Sequence, residues 1–381
     1  MITDATGIPY VQSSASLQVP PPYHFPGVTV NAFVWEASMA RVQAYCDTFF
    51  NLGSIEERGF VYKAVPLWPY ATLLFLDYPV MLSSNPHQDT GSTPYSDRGI
   101  ISQTEVFVAL PVMRVGAGPA KLLTHSELEW ALPFIAVGNP MSAVCGREML
   151  GLGKLLAEIT TGEGKFPGGF QGTVKLPGWS EQRTGVMQEV LPLLTVQTAP
   201  VLPTFRGSDA SRSIATLLQS REAGWAMDNM ASMANLVDAA SLGLLPTSLR
   251  TVGLKQYRDA SDPERAVYQA LVTCRSQYSN VRDFRFYDED DVDIEFNDVG
   301  SFHDILSVFL ETGGPPSLGT IKAKPVGGYR FMADIDYDSM RVTHQFAIDG
   351  PNGQLVIPAK SDLVARWFRP WHGFFKREPG L

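Results

Sequence analysis

The stretch AVGNPMSAVCGREMLGLGKLLAEI, residues 136–159, sets a single lysine among glycines and aliphatic side chains. Lys154 follows Gly153 and precedes Leu155 and Leu156, and the nearest acid along the chain is Glu158. If this segment lies inside the protein, desolvation disfavours the ammonium form and leaves free amine near neutral pH. A neutral amine is a nucleophile toward carbonyl carbon. The competing reading ends an amphipathic helix at Lys154 and lets its ammonium reach water. Arg147 and Glu148, adjacent and opposite in charge, read as an ion pair that holds the loop before the lysine.

Outward from this stretch, TEVFVALPVMRV (104–115) and LPFIAVGN (132–139) are short, β-rich and bounded by Gly, Pro or Asn, as buried strands are. The first carries Glu105 at the head of an apolar run. A carboxylate buried there needs a partner or a proton, whereas at a solvent-facing strand end it needs neither. VTVNAFVWEA (28–37) reads as a strand that enters a helix with Met39, Val42, Tyr45 and Phe49 at helical spacing, stopped near Gly53. A nearly continuous apolar stretch from Tyr62 to Leu82 gives way to a polar loop, residues 83–99. Downstream, GTVKLPGW, VLPLLTVQT, VGLKQYR, AVYQALVTCRSQY, VDIEFND, GTIKAKPVGGYRFMADIDYD and VTHQFAID are further strand candidates. Between 208 and 246 the spacing of Trp225, Met227, Met230, Met233, Leu236 and Val237 predicts a helix, with the stripe facing core or a subunit interface. Many strands around a minor helical part predict an α+β protein, mainly antiparallel β, with closure into a barrel open to it.

Composition narrows the function classes. With 381 residues, 45% hydrophobic and 18% charged, the chain is long enough for a substantial core without disulfides or metal. A formal charge of −9 opposes a phosphate backbone, so no nucleic-acid partner is expected. The start has no apolar leader and no window approaches a spanning length, which points to a cytoplasmic location. Cys46, Cys145 and Cys274 are too few and too widely spaced for a disulfide framework or a CxxC site. The 6 histidines are scattered without ligand spacing, so no metal is expected. GLG at 151–153 and GAG at 116–118 are too short for a dinucleotide loop and read as turns. The acidic run YDEDDVDIEFND reads as a solvated loop and strand edge, with calcium the lesser alternative.

The stretch 136–159 resembles the signature of the acetoacetate decarboxylase family, in which Gly-Arg-Glu precedes the Schiff-base lysine by a fixed interval. Lys154 holds that position, six residues after Glu148. QTEVFVALPVMRV resembles the family strand that carries an essential glutamate, and Glu105 falls on it. VGLKQYRDASDPERAVYQALVTCRSQY resembles a later hairpin, and KPVGGYRFMADIDYD the closing strand. The resemblance implies a cone or closed barrel over one domain (27–350), in which the helical segment 208–246 is an insertion without a clear family counterpart; the polar, proline-rich residues 1–26 read as an extended arm and 351–381 as an aromatic, basic tail. The tail is read as packing on another subunit of a homo-oligomer, with membrane contact as its alternative.

Departures from the family pattern bear on the substrate. Leu155 stands where family members have a second lysine, Val28 or a neighbour where they have a carboxylate-binding arginine, and the stretch Leu73–Leu76 where they have a second acid. The implied chemistry is a lyase acting on a β-keto acid: Lys154 forms an iminium without any cofactor, Glu105 shuttles protons, and Arg147 and Glu148 organise the loop or, alternatively, bind the substrate. An aldolase or dehydratase acting on a pyruvate-like 2-oxo acid is the enzymatic alternative. A non-catalytic small-molecule binder is the alternative of another class.

Overall fold

The structure is a computed structural model that describes residues 18–65, 69–86, 94–117, 126–164, 169–199, 247–287, 292–310 and 319–346. In chain order the elements are β1 (Tyr23–Glu36), α1 (Met39–Phe49), α2 (Ile55–Arg58), β2 (Phe60–Ala64), β3 (Tyr70–Ser83), β4 (Ile101–Gly116), β5 (Ser126–Val137), α3 (Pro140–Glu148), β6 (Lys154–Leu156), β7 (Glu158–Glu163), β8 (Phe170–Gly178), β9 (Glu189–Thr198), β10 (Thr247–Arg258), β11 (Ala266–Tyr287), β12 (Val292–Asp298), α4 (His303–Leu306), β13 (Gly319–Ala323), β14 (Pro325–Tyr337) and β15 (Arg341–Gln345). Long, β-branched and aromatic strands dominate, and most pair antiparallel.

A 10-stranded sheet runs β2-β4-β3-β1-β14-β11-β10-β5-β6, with β15 added on β11. Because β4 also pairs with β5, the strands β4-β3-β1-β14-β11-β10-β5 close on themselves into a ring. A 5-stranded sheet, β13-β12-β9-β8-β7, packs on the outside of this ring.

The period-2 alternation of strands sorts the apolar residues into two cores. Phe33 and Trp35 of β1, Leu73 and Phe75 of β3, and Val106 and Val108 of β4 face the second sheet, where they meet Phe170, Val174, Ile294 and Phe296. Gly172 is needed at this seam, since a Cβ there would lie 2.6 Å from the ring of Phe75. The alternate residues, Val28 and Val30 of β1, Leu76 and Tyr78 of β3, Ile135 and Val137 of β5, and Phe331 and Ala333 of β14, form a second core on the inner face. Full burial of each such large side chain contributes about 1.5–3 kcal/mol.

Two expectations about the N-terminal third change. The arm expected over 1–26 gives way to core earlier, since Val19, Tyr23 and Phe25 are buried and β1 starts at Tyr23, opposite Tyr337 and Ser83. The prolines there do not keep the chain on the surface, because Tyr23 and Phe25 extend the inner row of β1. In α1 the buried face is Val42 and Cys46, and Phe49 is exposed. The helical segment expected at 208–246 and the tail 351–381 lie outside the described residues. Among the described residues no helix is long and apolar enough to cross a membrane.

Candidate active site

The site is built where β4 and β5 meet on the inner face. Glu105 lies opposite Leu76 of β3 and Val137 of β5, and directly opposed residues of antiparallel strands point to the same face. After Val137 the chain turns into α3, whose start is fixed by Asn139. Its side chain accepts from the amides of Met141 (2.9 Å) and Ser142 (3.3 Å), and Pro140 fills the first turn. The return through residues 149–153 lays β6 parallel to β5, with Lys154 opposite Ile135. Ile135 and Val137 are two residues apart on one strand, so Lys154 and Glu105 share a face.

They meet there. Lys154 Nζ lies 2.5 Å from Glu105 Oε2 and 3.3 Å from Ser142 Oγ. Both charged residues are 7% exposed. Lys154 thus opens a strand and points inward, which rules out the helix-end reading. Gly146 makes this possible, because a Cβ on it would collide with Cγ, Cδ and Cε of Lys154. The backbone of the turn is held by Leu152 N donating to Gly146 O (3.0 Å) and Lys154 N donating to Leu152 O (2.7 Å).

Arg147 and Glu148 turn to separate partners instead of pairing with each other. Arg147 Nη1 donates to the Lys154 carbonyl at 3.2 Å, and the Glu148 carboxylate accepts from the Gln18 side chain. The Glu148 carbonyl accepts from the Tyr257 hydroxyl. Both tie the lysine turn to its surroundings, whereas the hydrogen bonds of Nζ go to Glu105 and Ser142. Leu155 packs toward the outer core, so the position of the family's second lysine faces away from the Lys154 amine. Val28 and Leu76, at the other two departures, line the inner face as aliphatic surface.

Several residues of the site were not singled out in the sequence. Ser142 is brought to the amine by the first turn of α3. Gln103 lies two residues before Glu105, hence on the same face, and its Nε2 donates to Glu105 Oε2 at 3.4 Å. Its alternation with Glu105 and Phe107 was a legible signal. Tyr78, opposite Gln103 on β3, and Tyr278 of β11 belong to the same buried cluster. Burial, and after it for Tyr78 the Glu105 carboxylate, pushes the Tyr78 phenol far up, and burial does the same for Tyr278. Both therefore remain neutral hydroxyls. Burial also pushes up the Cys145 thiol, an effect opposed by Lys154.

Among the buried charged residues of the described chain the cations are Lys154 and Arg58, and Arg58 is held by the carbonyls of Leu52 and Gly53. Lys154 is thus the one buried cation of the inner face among the described residues. No group of three or more His, Cys, Asp or Glu suited to a metal ion occurs among them. A cavity of about 590 Å³ lies behind the lysine turn, lined in part by Arg147, Glu148, Leu152, Tyr257 and Arg258. It does not include Lys154 or Glu105.

Comparison with solved structures gives a distant likeness. In fold, the chain is similar to acetoacetate decarboxylase. The enzyme from Legionella pneumophila superposes with a TM-score of 0.48 at 11% identity, covering 86% of this chain and 89% of its own. The enduracididine biosynthesis enzyme MppR gives 0.47 at 12% identity, covering 90% and 97%. An acetoacetate decarboxylase-like enzyme from Sphingomonas wittichii gives 0.45 at 13%, covering 88% and 99%. No family profile and no curated protein sequence matches the chain.

Proposed function

We propose that this protein is a Schiff-base-forming lyase that decarboxylates a β-keto acid through Lys154. The observation that carries the reading is the buried contact of Lys154 Nζ with Glu105 at 2.5 Å, with Ser142 Oγ also beside the amine. A lysine and a carboxylate desolvated together are costly for stability and need another reason to be there. Proton transfer between them supplies one. With the proton on the carboxyl group the nitrogen lone pair is free to attack, and with it on nitrogen the carboxylate is a base.

The amine adds to the ketone carbon to give a carbinolamine. Ser142, whose oxygen accepts from Nζ, lies beside the new hydroxyl group, which leaves as water with the proton held by Glu105. Loss of water leaves an iminium, and the electron pair of the bond to the carboxylate flows into it as carbon dioxide departs. Glu105, reprotonated from solvent, gives a proton to the enamine carbon, and hydrolysis returns the ketone and the amine. Aliphatic and aromatic surroundings favour the step in which carboxylate charge is lost.

The reading is tested by following carbon dioxide from a panel of β-keto acids with the wild-type protein and Lys154→Ala. Gas release by the wild type that falls to the uncatalysed rate in a folded variant is the expected outcome. Aldol products without gas from 2-oxo acids would replace the decarboxylase with an aldolase on the same lysine.

A further inference from the structure

Gln103 is more than nine-tenths buried on the inner face, two residues from Glu105. Its nitrogen end is fixed against Glu105, an acceptor, which settles which end of the carboxamide faces the acid. Its other end, Oε1, has no hydrogen-bond partner. A buried carbonyl oxygen left in this state is destabilising, and native proteins seldom retain one without a reason. Gln103 Nε2 touches the carboxylate that touches Nζ, which puts the carboxamide one residue away from the amine. The buried cluster of this face is aliphatic and aromatic and includes Tyr78, opposite Gln103 on β3, and no carboxylate-binding guanidinium is buried on this face among the described residues.

We infer that Gln103 is the specificity-determining residue of the site and that its Oε1 accepts a hydrogen bond from a hydroxyl on the carbon next to the substrate ketone. The preferred substrate is then an α-hydroxy ketone bearing a carboxylate, a more polar molecule than a simple keto acid. This rests on the Schiff-base reading of Lys154. A site with a buried acceptor discriminates strongly, because an analogue lacking the donor leaves that acceptor desolvated and unpaired.

The experiment compares acetoacetate with its terminal-hydroxyl derivative, and pyruvate with hydroxypyruvate, by the rate of borohydride-trapped adduct on Lys154. The wild type should favour the hydroxylated member of at least one pair by roughly ten- to a hundredfold. In Gln103→Leu, similar in size but without the acceptor, that ratio should fall to about one, whatever the loss of the Glu105 contact does to the absolute rates. A purely structural glutamine would slow both members alike. Equal trapping of both members of each pair by the wild type overturns the role of Gln103 and leaves the Schiff base standing, even if the variant fails to fold. Absence of any adduct on Lys154 removes both.

Discussion

The contact between Lys154 and Glu105 is one in which either partner alone would be a liability. Removing one member of a buried pair strands the other charge and typically costs about 3–5 kcal/mol, whereas replacing both by apolar groups of similar volume is often neutral. Lys154→Met and Glu105→Leu should therefore each lower the denaturant midpoint strongly, and the double variant should recover most of the loss while remaining inactive. Independent, additive losses would mean that the two groups do not interact as they do in the structure. At this scale the sequence was informative about chemistry and silent about partners. The isolation of Lys154 among aliphatic residues was visible, and so was Glu105 at the head of an apolar strand. That they touch depends on a register between β4 and β5 and on a crossover of β6, and neither is encoded near either residue. The nearest acid along the chain is Glu158, on the strand after β6, whereas the acid at the amine comes from 49 positions upstream.

At the scale of the element, the β5–α3–β6 crossover aims the amine. Pro140 and the Asn139 cap start α3, Gly146 leaves room for the Lys154 stem, and Arg147 holds the carbonyl of the same lysine. Gly146→Ala should thus keep the fold at an overpacking cost of about 1–3 kcal/mol. It should also reduce turnover by about a hundredfold, the scale expected when a reacting group moves by about 1 Å. The paired readout is a thermal melt with steady-state kinetics, and unchanged turnover would show that the glycine has no part in placing the amine. Strand positions were legible across most of the chain because alternation and β-branched content act locally. The reading of Arg147 and Glu148 as a mutual pair failed because neighbours on a helix do not face each other, so each found a partner elsewhere. The end of the N-terminal arm was misplaced because prolines mask the alternation of Tyr23 and Phe25.

For the whole molecule, antiparallel β character could be read from many short apolar segments, but the closure of seven strands into a ring could not, since it depends on a single extra pairing of β4 with β5. Closure gives the protein an interior distinct from the core under the second sheet, and it is the interior that holds the Lys154–Glu105 contact. The same burial governs all three thiols, which are free and buried. Burial pushes Cys46 and Cys274 up to about 12 and raises Cys145, so raising the pH from 7 to 9 generates little thiolate in the folded protein. Thiol reagents should label the native chain slowly across that range and label three sites rapidly after denaturation; rapid native labelling would contradict the packing of these cores. The central claim is that Lys154 forms a covalent imine. Its most direct test is sodium borohydride reduction in the presence of β-keto and 2-oxo acids, followed by peptide mass mapping. The account predicts a ligand-sized mass added to the peptide that contains Lys154, lost in Lys154→Ala. An adduct confined to other lysines, or none with any acid, would contradict it.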